Sequence, residues 1–558
     1  MSRTTWAILL TLAIGPSVLG LVNEVQEVDP AQYADVARRM LESGDWWHLR
    51  DQNGPFWNKP PLTMWLQAAG MSVFGVDAFA VRLPGLLFAV ITMVSTFFIG
   101  RTLADERRGL TAAVLVGASL SMHLMVLDPK VDTALTAMTT LAIALMLEGR
   151  KTPWLRLVAW AFAGLAVLSK GPIGLGIPVL ALLPEVVRPS WSEAPSSLLR
   201  RLWSVWPFGL VFTALVALPF YAAMHDTTGD EGVWYLLWYQ GFGRLFGQAG
   251  FLDDTTPLFF THTMLWAFLP FSPVLVVGLV RRVATFATAR RLPGTIARIP
   301  LWWFALTFVV ISSSTYKLPQ YLYPLTAPAA LLAAEELERL DDVMASRWRW
   351  LFVAFAGGGM LFAAAVFFVA FPAPVWQVAL WAVLVSAPLV VLLTWGRRLA
   401  PADGLRVSLA LGLSGVMAFL AGYVQPQTLE SQPSRELGAL IRQLDPDSTM
   451  VPVVFAVPQF SFSFYARRDA TYLMPDGLKA ALEAKRATVA IVGPDGPLSQ
   501  LTEQGIGYEV LGTFTTFPTS RPNPQFLFAK SRPQTLVELK LLKVWLNEVN
   551  APPSGVGP

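Results

Sequence analysis

Long apolar runs recur from the start of the chain to about residue 424, and they constrain the fold more than any other feature. A helix needs about 20 residues to cross the hydrocarbon core of a bilayer. Only 14% of the 558 residues are charged, against roughly a quarter in soluble domains, so we predict a polytopic α-helical membrane protein. We place thirteen spans at residues 5–22, 80–99, 110–127, 133–148, 155–169, 171–184, 203–222, 259–280, 300–314, 320–334, 350–371, 374–396 and 405–423.

The distribution of charge between the spans indicates their orientation. The opening run, residues 5–22, lacks a small-residue cleavage site, so we predict a retained helix rather than a signal peptide. Residues 23–79 hold eight acids and four bases, whereas cytoplasmic loops collect Lys and Arg. We therefore predict that the N-terminus lies inside and that this long loop faces outward. The predicted inner loops carry Arg101, Arg107, Arg108, Arg150, Lys151, Arg156, Arg188, Arg200, Arg201, Arg281, Arg282, Arg290, Arg291, Arg298, Arg397 and Arg398.

The composition changes after residue 424. Strand-like runs VPVVFAV, ATVAIVG and PQFLFAK are separated by the turn clusters DPDS, GPDGP and TSRPNP and by helix-like SRELGALIRQL and DGLKAALEAK. We predict a transmembrane domain over 1–424 and a small α/β domain over 425–558, outside the cell because the number of spans is odd. The chain has no Cys, which excludes disulfides and thiolate chemistry, and nothing in it indicates nucleic-acid binding.

Ionisable side chains gather at the predicted outer ends of the spans. A charge near the bilayer is costly unless it is paired or lines a wet cavity, so this clustering predicts a polar cavity that opens outward. Any single member can instead be an ordinary interfacial charge. The group comprises Asp29, Lys59, Asp128, Lys130, Asp132, Lys170, His225, Asp226, Asp230, Glu231, Arg244, Asp253, Asp254, His262 and Lys317.

Several candidates have both a functional and a structural interpretation. In FWNKPPLTMW the two prolines preclude a helix at Lys59, and a lysine held in a cavity suits a phosphate. In LDPKVDTALTA, Asp132 is a candidate catalytic acid, but together with Thr133 it can also cap the next helix. In LSKGPIGLGIP, Lys170 either orients a phosphate or belongs to a tight turn. Tyr33 helps to fix either its helix or the substrate, or it is an interfacial aromatic.

The order of these motifs resembles the C-type, lipid-phosphate-dependent glycosyltransferases, which include the protein O-mannosyltransferases and the bacterial aminoarabinose transferases of lipid A. The resemblance is stronger to the latter, because of NKPP and because one small outer domain follows the spans. It implies a helical bundle in the bacterial inner membrane, with amphipathic juxtamembrane helices and a periplasmic C-terminal domain. The segments that carry it are VDPAQYADVARRMLESGDW, WNKPPLTMW, VRLPGLLFAV, DPKVDTALTA, LSKGPIGL, YQGFGRLF and YKLPQYLYPL.

The resemblance also implies site residues. Asp29 and Asp132 match the two acids of the family and are the predicted catalytic residues. Lys59 and Arg244 match basic residues that hold the polyprenyl phosphate, and Tyr321 matches an assisting tyrosine. The complete predicted substrate-binding set is Lys59, Arg244, Tyr321, Lys317, Tyr33 and Lys170.

Two departures from the family pattern bear on metal binding. Pro30 and Asn58 stand where family members often carry Glu, so two carboxylates are missing. The four histidines form no ligand-spaced motif, and His262 can at most join a carboxylate in a peripheral divalent-cation site. We therefore predict no required cofactor and no catalytic metal.

The implied reaction is transfer of 4-amino-4-deoxy-L-arabinose from undecaprenyl phosphate to a lipid A phosphate on the periplasmic face. One alternative is a protein O-mannosyltransferase, or another polyprenyl-phosphate-sugar transferase with a different acceptor. A polytopic transporter is the alternative of another class, although the repeat symmetry frequent in transporters is not apparent. The expected partners are the lipid-linked donor, the acceptor and membrane lipids, and we expect a monomer.

Overall fold

The computed structural model of the protein describes residues 1–186, 195–244, 247, 256–288, 298–446, 453–454, 459–472, 475–484, 489–492, 498–517 and 523–547. Within them, a helix or a helix pair lies at each of the thirteen predicted spans. In the described part of the chain, seven helices are long and apolar enough to cross a membrane, and an eighth crossing results if one pair bent by 53° counts as a single span. The polytopic helical fold is confirmed. The number thirteen stays a prediction, because helices such as Ile299–Ser312 are shorter than a full crossing.

The membrane portion consists of helices that follow one another closely, several of them continued by a 3₁₀ or π turn. The first outer loop adds two short strands, Arg50–Asp51 and Gly54–Pro55, paired as a hairpin. The helices are Arg3–Ile14, Asp29–Ser43, Leu62–Phe74, Ala78–Leu103, Glu106–Ala118, Leu120–Leu127, Val131–Glu148, Trp154–Lys170, Ile173–Val186, Pro195–Trp234, Phe259–Ala267, Ser272–Thr288, Ile299–Ser312, Thr326–Leu337, Asp342–Ala365, Val375–Thr394, Pro401–Leu411, Ser414–Phe419 and Gln425–Leu429.

Helix Val131–Glu148 lies at the centre of the bundle. It packs against Ala78–Leu103, Trp154–Lys170, Ile173–Val186 and the 3₁₀ turn Pro319–Leu325. Its buried threonines satisfy their hydroxyls locally: Thr136, Thr139 and Thr140 each donate a hydrogen bond to a carbonyl of the preceding turn. Polar residues are therefore tolerated in this buried helix.

The juxtamembrane helix Asp29–Ser43 follows the first apolar run, as the resemblance implies. Pro30 occupies its first turn, where a missing N–H costs nothing, and Gly44 ends it with φ +72°. The fully buried Asp35 accepts hydrogen bonds from Arg38 and from Arg39. These i,i+3 and i,i+4 pairs lie within the helix and stabilise it independently of its N-terminal residue. Helix Leu62–Phe74 begins directly after the Pro60–Pro61 pair, as predicted.

The C-terminal part contains a five-stranded sheet. Thr471–Tyr472, Val453–Val454 and Val489–Val492 pair in parallel, and Val537–Leu546 then pairs antiparallel with Val489–Val492 and with Ile506–Thr516. Four helices accompany the sheet: Ser434–Leu444, Gln459–Ala466, Pro475–Glu483 and Leu498–Glu503. The division into domains at 424/425 stays a prediction; a chain of consecutive helical segments continues to Leu429.

The predicted elements of this part are only partly correct. The strand cores Val453–Val454 and Val489–Val492 and the helices Ser434–Leu444 and Pro475–Glu483 are confirmed. PQFLFAK is not a strand, because Pro524–Leu527 forms a 3₁₀ turn. The flanking residues 447–452, 455–458, 485–488, 493–497, 518–522 and 548–558 lie outside the described part of the chain.

The two longest strands, Ile506–Thr516 and Val537–Leu546, were missed. The second is covered on both faces: Leu539 and Leu541 pack in one hydrophobic cluster, whereas Leu542 and Val544 pack in another. A strand buried on both sides loses the alternation of apolar and polar residues by which strands are recognised.

Candidate functional site

A cavity of about 360 Å³ lies near the end of the bundle that carries the predicted site. Asp132, Lys170, Gln240, Ser314 and Tyr321 contribute polar groups to its lining. The rest of the lining is mainly apolar and includes Ile173, Ile177, Leu180, Phe242, Val310 and Ile311. The cavity therefore combines a short polar region with an extended apolar wall.

Asp132 and Lys170 form an ion pair inside this cavity. The Lys170 ammonium donates a hydrogen bond to the Asp132 carboxylate, which is almost fully buried. The ammonium also lies 3.9 Å from the centre of the Tyr321 ring, over which a cation is attracted by the ring's electron density. Three residues predicted from separate segments are thus brought together by the fold.

The structure contradicts the structural interpretation of Asp132 as a helix cap and confirms the tight turn at Lys170. Asp132 is not a helix cap: Lys130 is the N-cap of helix Val131–Glu148, and the Thr133 hydroxyl donates to the Met125 carbonyl. Asp132 instead lies in the first turn, where the helix dipole favours a negative charge. The tight turn after Lys170 is present, because Gly171 follows it with φ +75°. Lys170 therefore ends a helix and faces the cavity as well.

Asp29 and the cavity residue Asp132 both interact electrostatically with Lys130 and Tyr33. Lys130 Nζ lies 2.9 Å from Asp128 Oδ2. Burial raises the pKa of Asp128, although Lys130 opposes this, and the charge of Asp29 raises it further. Asp29 itself is partly exposed, and its carboxylate makes no hydrogen bond or ion pair with any residue in the described ranges.

Tyr33 is a buried residue rather than an interfacial aromatic, and its role in the site stays a prediction. It is only 2% exposed, which contradicts the interpretation of a side chain reaching into the membrane interface. Burial raises the pKa of its hydroxyl well above the usual value. The charges of Asp29, Asp132 and Asp128 raise it further, so the hydroxyl stays protonated between the acids of two separate segments.

Lys59 reaches the cavity through a glutamine that the sequence analysis did not single out. Lys59 Nζ donates to the Asn58 carbonyl (3.0 Å) and to Gln240 Oε1 (3.2 Å), and Gln240 Nε2 donates to the Tyr235 hydroxyl (2.9 Å). Gln240 also lines the cavity. Its position in YQGFGRLF, the motif that contains Arg244, is the signal that was available in the sequence.

Arg82 is a second residue that was missed. It is fully buried and donates to the backbone carbonyls of Asn23, Glu24 and Leu127. It therefore ties the segment before Asp29 to the segment before Asp128. A charged residue within the apolar run VRLPGLLFAV was a sufficient signal, since such residues are rare in spans unless they have a specific partner.

The remaining predicted residues fall into three groups. Lys317 is buried in the segment that leads to Tyr321. His225, Asp226, Asp230 and Glu231 are exposed at one end of helix Pro195–Trp234, and His262 packs edge-on against Phe259. The side chain of Arg244 and the residues Asp253 and Asp254 lie outside the described part of the chain. Among the described residues, no group of three His, Cys, Asp or Glu side chains can hold a metal ion.

Known proteins share parts of this sequence. Residues 58–229 match a family described as dolichyl-phosphate-mannose-protein mannosyltransferase, and this stretch includes Lys59, Asp132 and Lys170. An undecaprenyl phosphate-alpha-4-amino-4-deoxy-L-arabinose arabinosyl transferase of Pectobacterium atrosepticum is 28% identical over 351 residues, which are 59% of each chain. A second transferase of that name, from Pseudomonas fluorescens, is 30% identical over 55% of each chain. The alignments thus span somewhat over half the length of these curated relatives.

Solved structures share the fold. ArnT from Cupriavidus metallidurans bound to undecaprenyl phosphate superimposes with a TM-score of 0.74 at 18% identity, covering 97% of this chain and 98% of that one. The oligosaccharyltransferase of Archaeoglobus fulgidus reaches a TM-score of 0.50 at 12% identity, covering 88% and 70%. Residues 58–229 are thus similar to the dolichyl-phosphate-mannose-protein mannosyltransferase family, and the chain as a whole has the fold of ArnT.

Proposed function

We propose that the protein is a membrane glycosyltransferase that moves a sugar from a polyprenyl phosphate to an acceptor at the membrane surface. The cavity carries this proposal. A polyprenyl chain requires an apolar wall, which Ile173, Ile177 and Val310 supply, and its phosphate requires cationic and polar groups at one end, which Lys170 and Gln240 supply. The ArnT fold, which has been solved with undecaprenyl phosphate bound, supports the same class of ligand.

The reaction breaks the bond between the anomeric carbon and the phosphate oxygen. The bonding electrons stay with the lipid phosphate, so negative charge grows on it as the bond breaks. Lys59, held by Gln240, is the group assigned to this phosphate. Arg244 is assigned to the same phosphate from the family resemblance of its motif. Cations placed where charge develops stabilise the transition state more than the ground state.

The acceptor oxygen forms the new bond to the anomeric carbon. If the acceptor is a phosphate, it is already ionised at neutral pH, and Asp29 orients it or stabilises the positive character of the sugar. If the acceptor is a hydroxyl group, its proton passes to a base, for which Asp29 is the assigned residue. The absence of a described partner for Asp29 suits both roles.

The finer assignment is 4-amino-4-deoxy-L-arabinose as the sugar and a lipid A phosphate as the acceptor, in the bacterial inner membrane. The names of the arabinosyl transferases that this chain resembles support the sugar and the undecaprenyl carrier. A mannosyl donor with a protein acceptor is the second candidate, and the family matched by residues 58–229 favours it.

The test of the proposed function is transfer by the purified protein from synthetic undecaprenyl-phosphate sugars. Mass spectrometry of lipid A from cells with and without the gene identifies the acceptor by the mass of an added pentosamine. A mannosyl mass on a protein acceptor favours the second candidate. No transfer with any lipid-linked donor contradicts the proposal.

Lys59→Ala is expected to weaken donor binding and to lower turnover, because the phosphate is charged before the reaction and gains charge during it. Gln240→Ala is expected to have a smaller effect of the same kind, roughly three- to tenfold, since it removes one hydrogen bond that holds a charged group. For both variants, the affinity for undecaprenyl phosphate and the initial rate of sugar transfer are measured. Gln377→Ala, on helix Val375–Thr394, is the matched control. Normal donor binding in Lys59→Ala contradicts the assignment.

The end of the bundle that carries Asp29 is expected to face the periplasm. This follows from the excess of acids in residues 23–79 and of arginines in the opposite loops. Alkaline phosphatase fused after residue 558 is then active, whereas a fusion after residue 149 is inactive. The reverse pattern contradicts the orientation and the periplasmic location of the site.

Transfer is expected to persist after exhaustive chelation of divalent cations. The residues assigned to the reaction are carboxylates, lysines and an arginine, which act on the phosphate and the sugar directly. Initial rates with and without EDTA measure this. Loss of activity that one specific metal restores contradicts the expectation.

A further inference from the structure

The segment that leads into Asp29 is held by residues more than 400 positions further along the chain. Val25 N donates to the Tyr465 hydroxyl (2.7 Å), and Gln432 Nε2 donates to the Val25 carbonyl (2.8 Å). Glu27 N donates to Gln432 Oε1 (3.0 Å). The side chain of Gln432 therefore bonds to the backbone on both sides of Gln26 and leaves this stretch little freedom.

Glu27 adds a fourth connection. Its side chain is buried and accepts a hydrogen bond from Ser461 N. Burial raises its pKa to about 7, although the hydrogen bonds from Ser461 oppose this. Ser461 Oγ in turn donates to Ser434 Oγ (2.7 Å), which ties helix Gln459–Ala466 to helix Ser434–Leu444.

Helix Gln459–Ala466 also contacts the hairpin of the first outer loop. Ser463 Oγ donates to Gln52 Oε1 (2.6 Å), and Gln52 lies in the hairpin that precedes Lys59. Arg39, on the juxtamembrane helix, forms an ion pair with Asp469 (2.6 Å), just beyond the C-terminal helix. Helix Gln459–Ala466 thus lies between the segment that carries Asp29 and the segment that leads to Lys59.

We propose that helix Gln459–Ala466 and Gln432 position Asp29 for sugar transfer, which gives the C-terminal part of the chain a role in the reaction. The proposal rests on the proposed function. Within the described residues the Asp29 carboxylate makes no hydrogen bond or ion pair that would hold it, so its position depends on the backbone that leads into it, residues 24–28. A displacement of 1 Å at a reacting group can cost on the order of 10²-fold in rate.

The positioning role is separable from folding. The juxtamembrane helix keeps its Asp35–Arg38 and Asp35–Arg39 pairs when the contacts at residues 25 and 27 are removed. We therefore expect substitutions at these contacts to loosen the N-terminal end of this helix without unfolding the protein. The donor phosphate, held by Lys59 and its neighbours, is expected to bind as before.

The experiment compares Gln432→Ala and Tyr465→Phe with the matched controls Gln427→Ala and Tyr508→Phe, whose side chains make no described bond to residues 24–28. We expect kcat to fall about tenfold or more in the two test variants. Undecaprenyl-phosphate binding is expected to stay within about twofold of the wild type. Hydrogen exchange is expected to accelerate at the amides of Val25 and Glu27. The controls are expected to behave as the wild type.

Two substitutions of Glu27, one conservative and one not, provide a further test. Glu27→Gln keeps an oxygen that accepts from Ser461 N and is expected to retain most of the turnover, whereas Glu27→Ala is expected to lose it. Normal kcat in Gln432→Ala and Tyr465→Phe overturns the proposal. So does a parallel loss of donor binding, kcat and thermal stability, which indicates a purely structural role. Failure of the proposed function is distinct, because the wild type itself then transfers no sugar.

Discussion

Asp29→Asn is expected to lower the rate of sugar transfer by roughly two to four orders of magnitude, the usual cost of losing a positioned acid or base. The substitution keeps the shape of the side chain and removes its charge. In the proposed mechanism Asp29 acts on the sugar and the acceptor, whereas the donor phosphate is bound by cations elsewhere. Undecaprenyl-phosphate binding is therefore expected to stay within about twofold of the wild type, so that the loss appears in kcat.

The measurement is transfer from purified lipid donor to acceptor, with donor binding followed separately on the same folded variant. Asp77→Asn is the matched control: Asp77 lies on the same loop and caps helix Ala78–Leu103 through its side chain, a role that Asn fills equally well. Near-normal turnover in Asp29→Asn contradicts a catalytic role and leaves Asp132 as the better candidate.

The positions of the membrane helices could be predicted from sequence because apolar runs mark them directly. The number of complete crossings could not, since a short helix buried by its neighbours and a full span have the same composition. Helix Ile173–Val186, for example, is apolar except for Glu185 but has only 14 residues, and five of its residues line the cavity. Whether such a helix crosses the membrane completely depends on its length and on its packing, and the packing is known only from the folded bundle.

The sequence allowed residues of the candidate site to be proposed, but it did not show which of them are in contact. Asp132 and Lys170 were singled out in separate motifs, but no local pattern states that they form an ion pair. Tyr33 and Asp29 lie one helical turn apart in the sequence, which fixed their relation, whereas the burial of Tyr33 depends on packing partners such as Phe56. Gln240 was overlooked because it is uncharged, so that only its place in the motif YQGFGRLF indicated a role.

Lys170→Met is expected to destabilise the protein by about 3–5 kcal/mol, because it leaves the buried Asp132 carboxylate without its cation. The double variant Asp132→Asn, Lys170→Met removes both charges and is expected to recover most of that stability. Thermal unfolding in detergent measures both. Arg101→Met is the control: its pair with Glu148 is more exposed, and the loss of such a pair costs at most about 1 kcal/mol.

Turnover of the double variant then separates the two roles of this pair. Asp132 and Lys170 line the cavity assigned to the donor, so we expect the stable double variant to remain at least roughly a hundredfold slower than the wild type. A purely structural pair predicts that activity returns together with stability, since nothing at the reacting atoms has changed. Recovery of both quantities therefore contradicts a role for Asp132 in the reaction. Recovery of stability alone supports that role, because an intact fold then lacks only the charges that face the substrate.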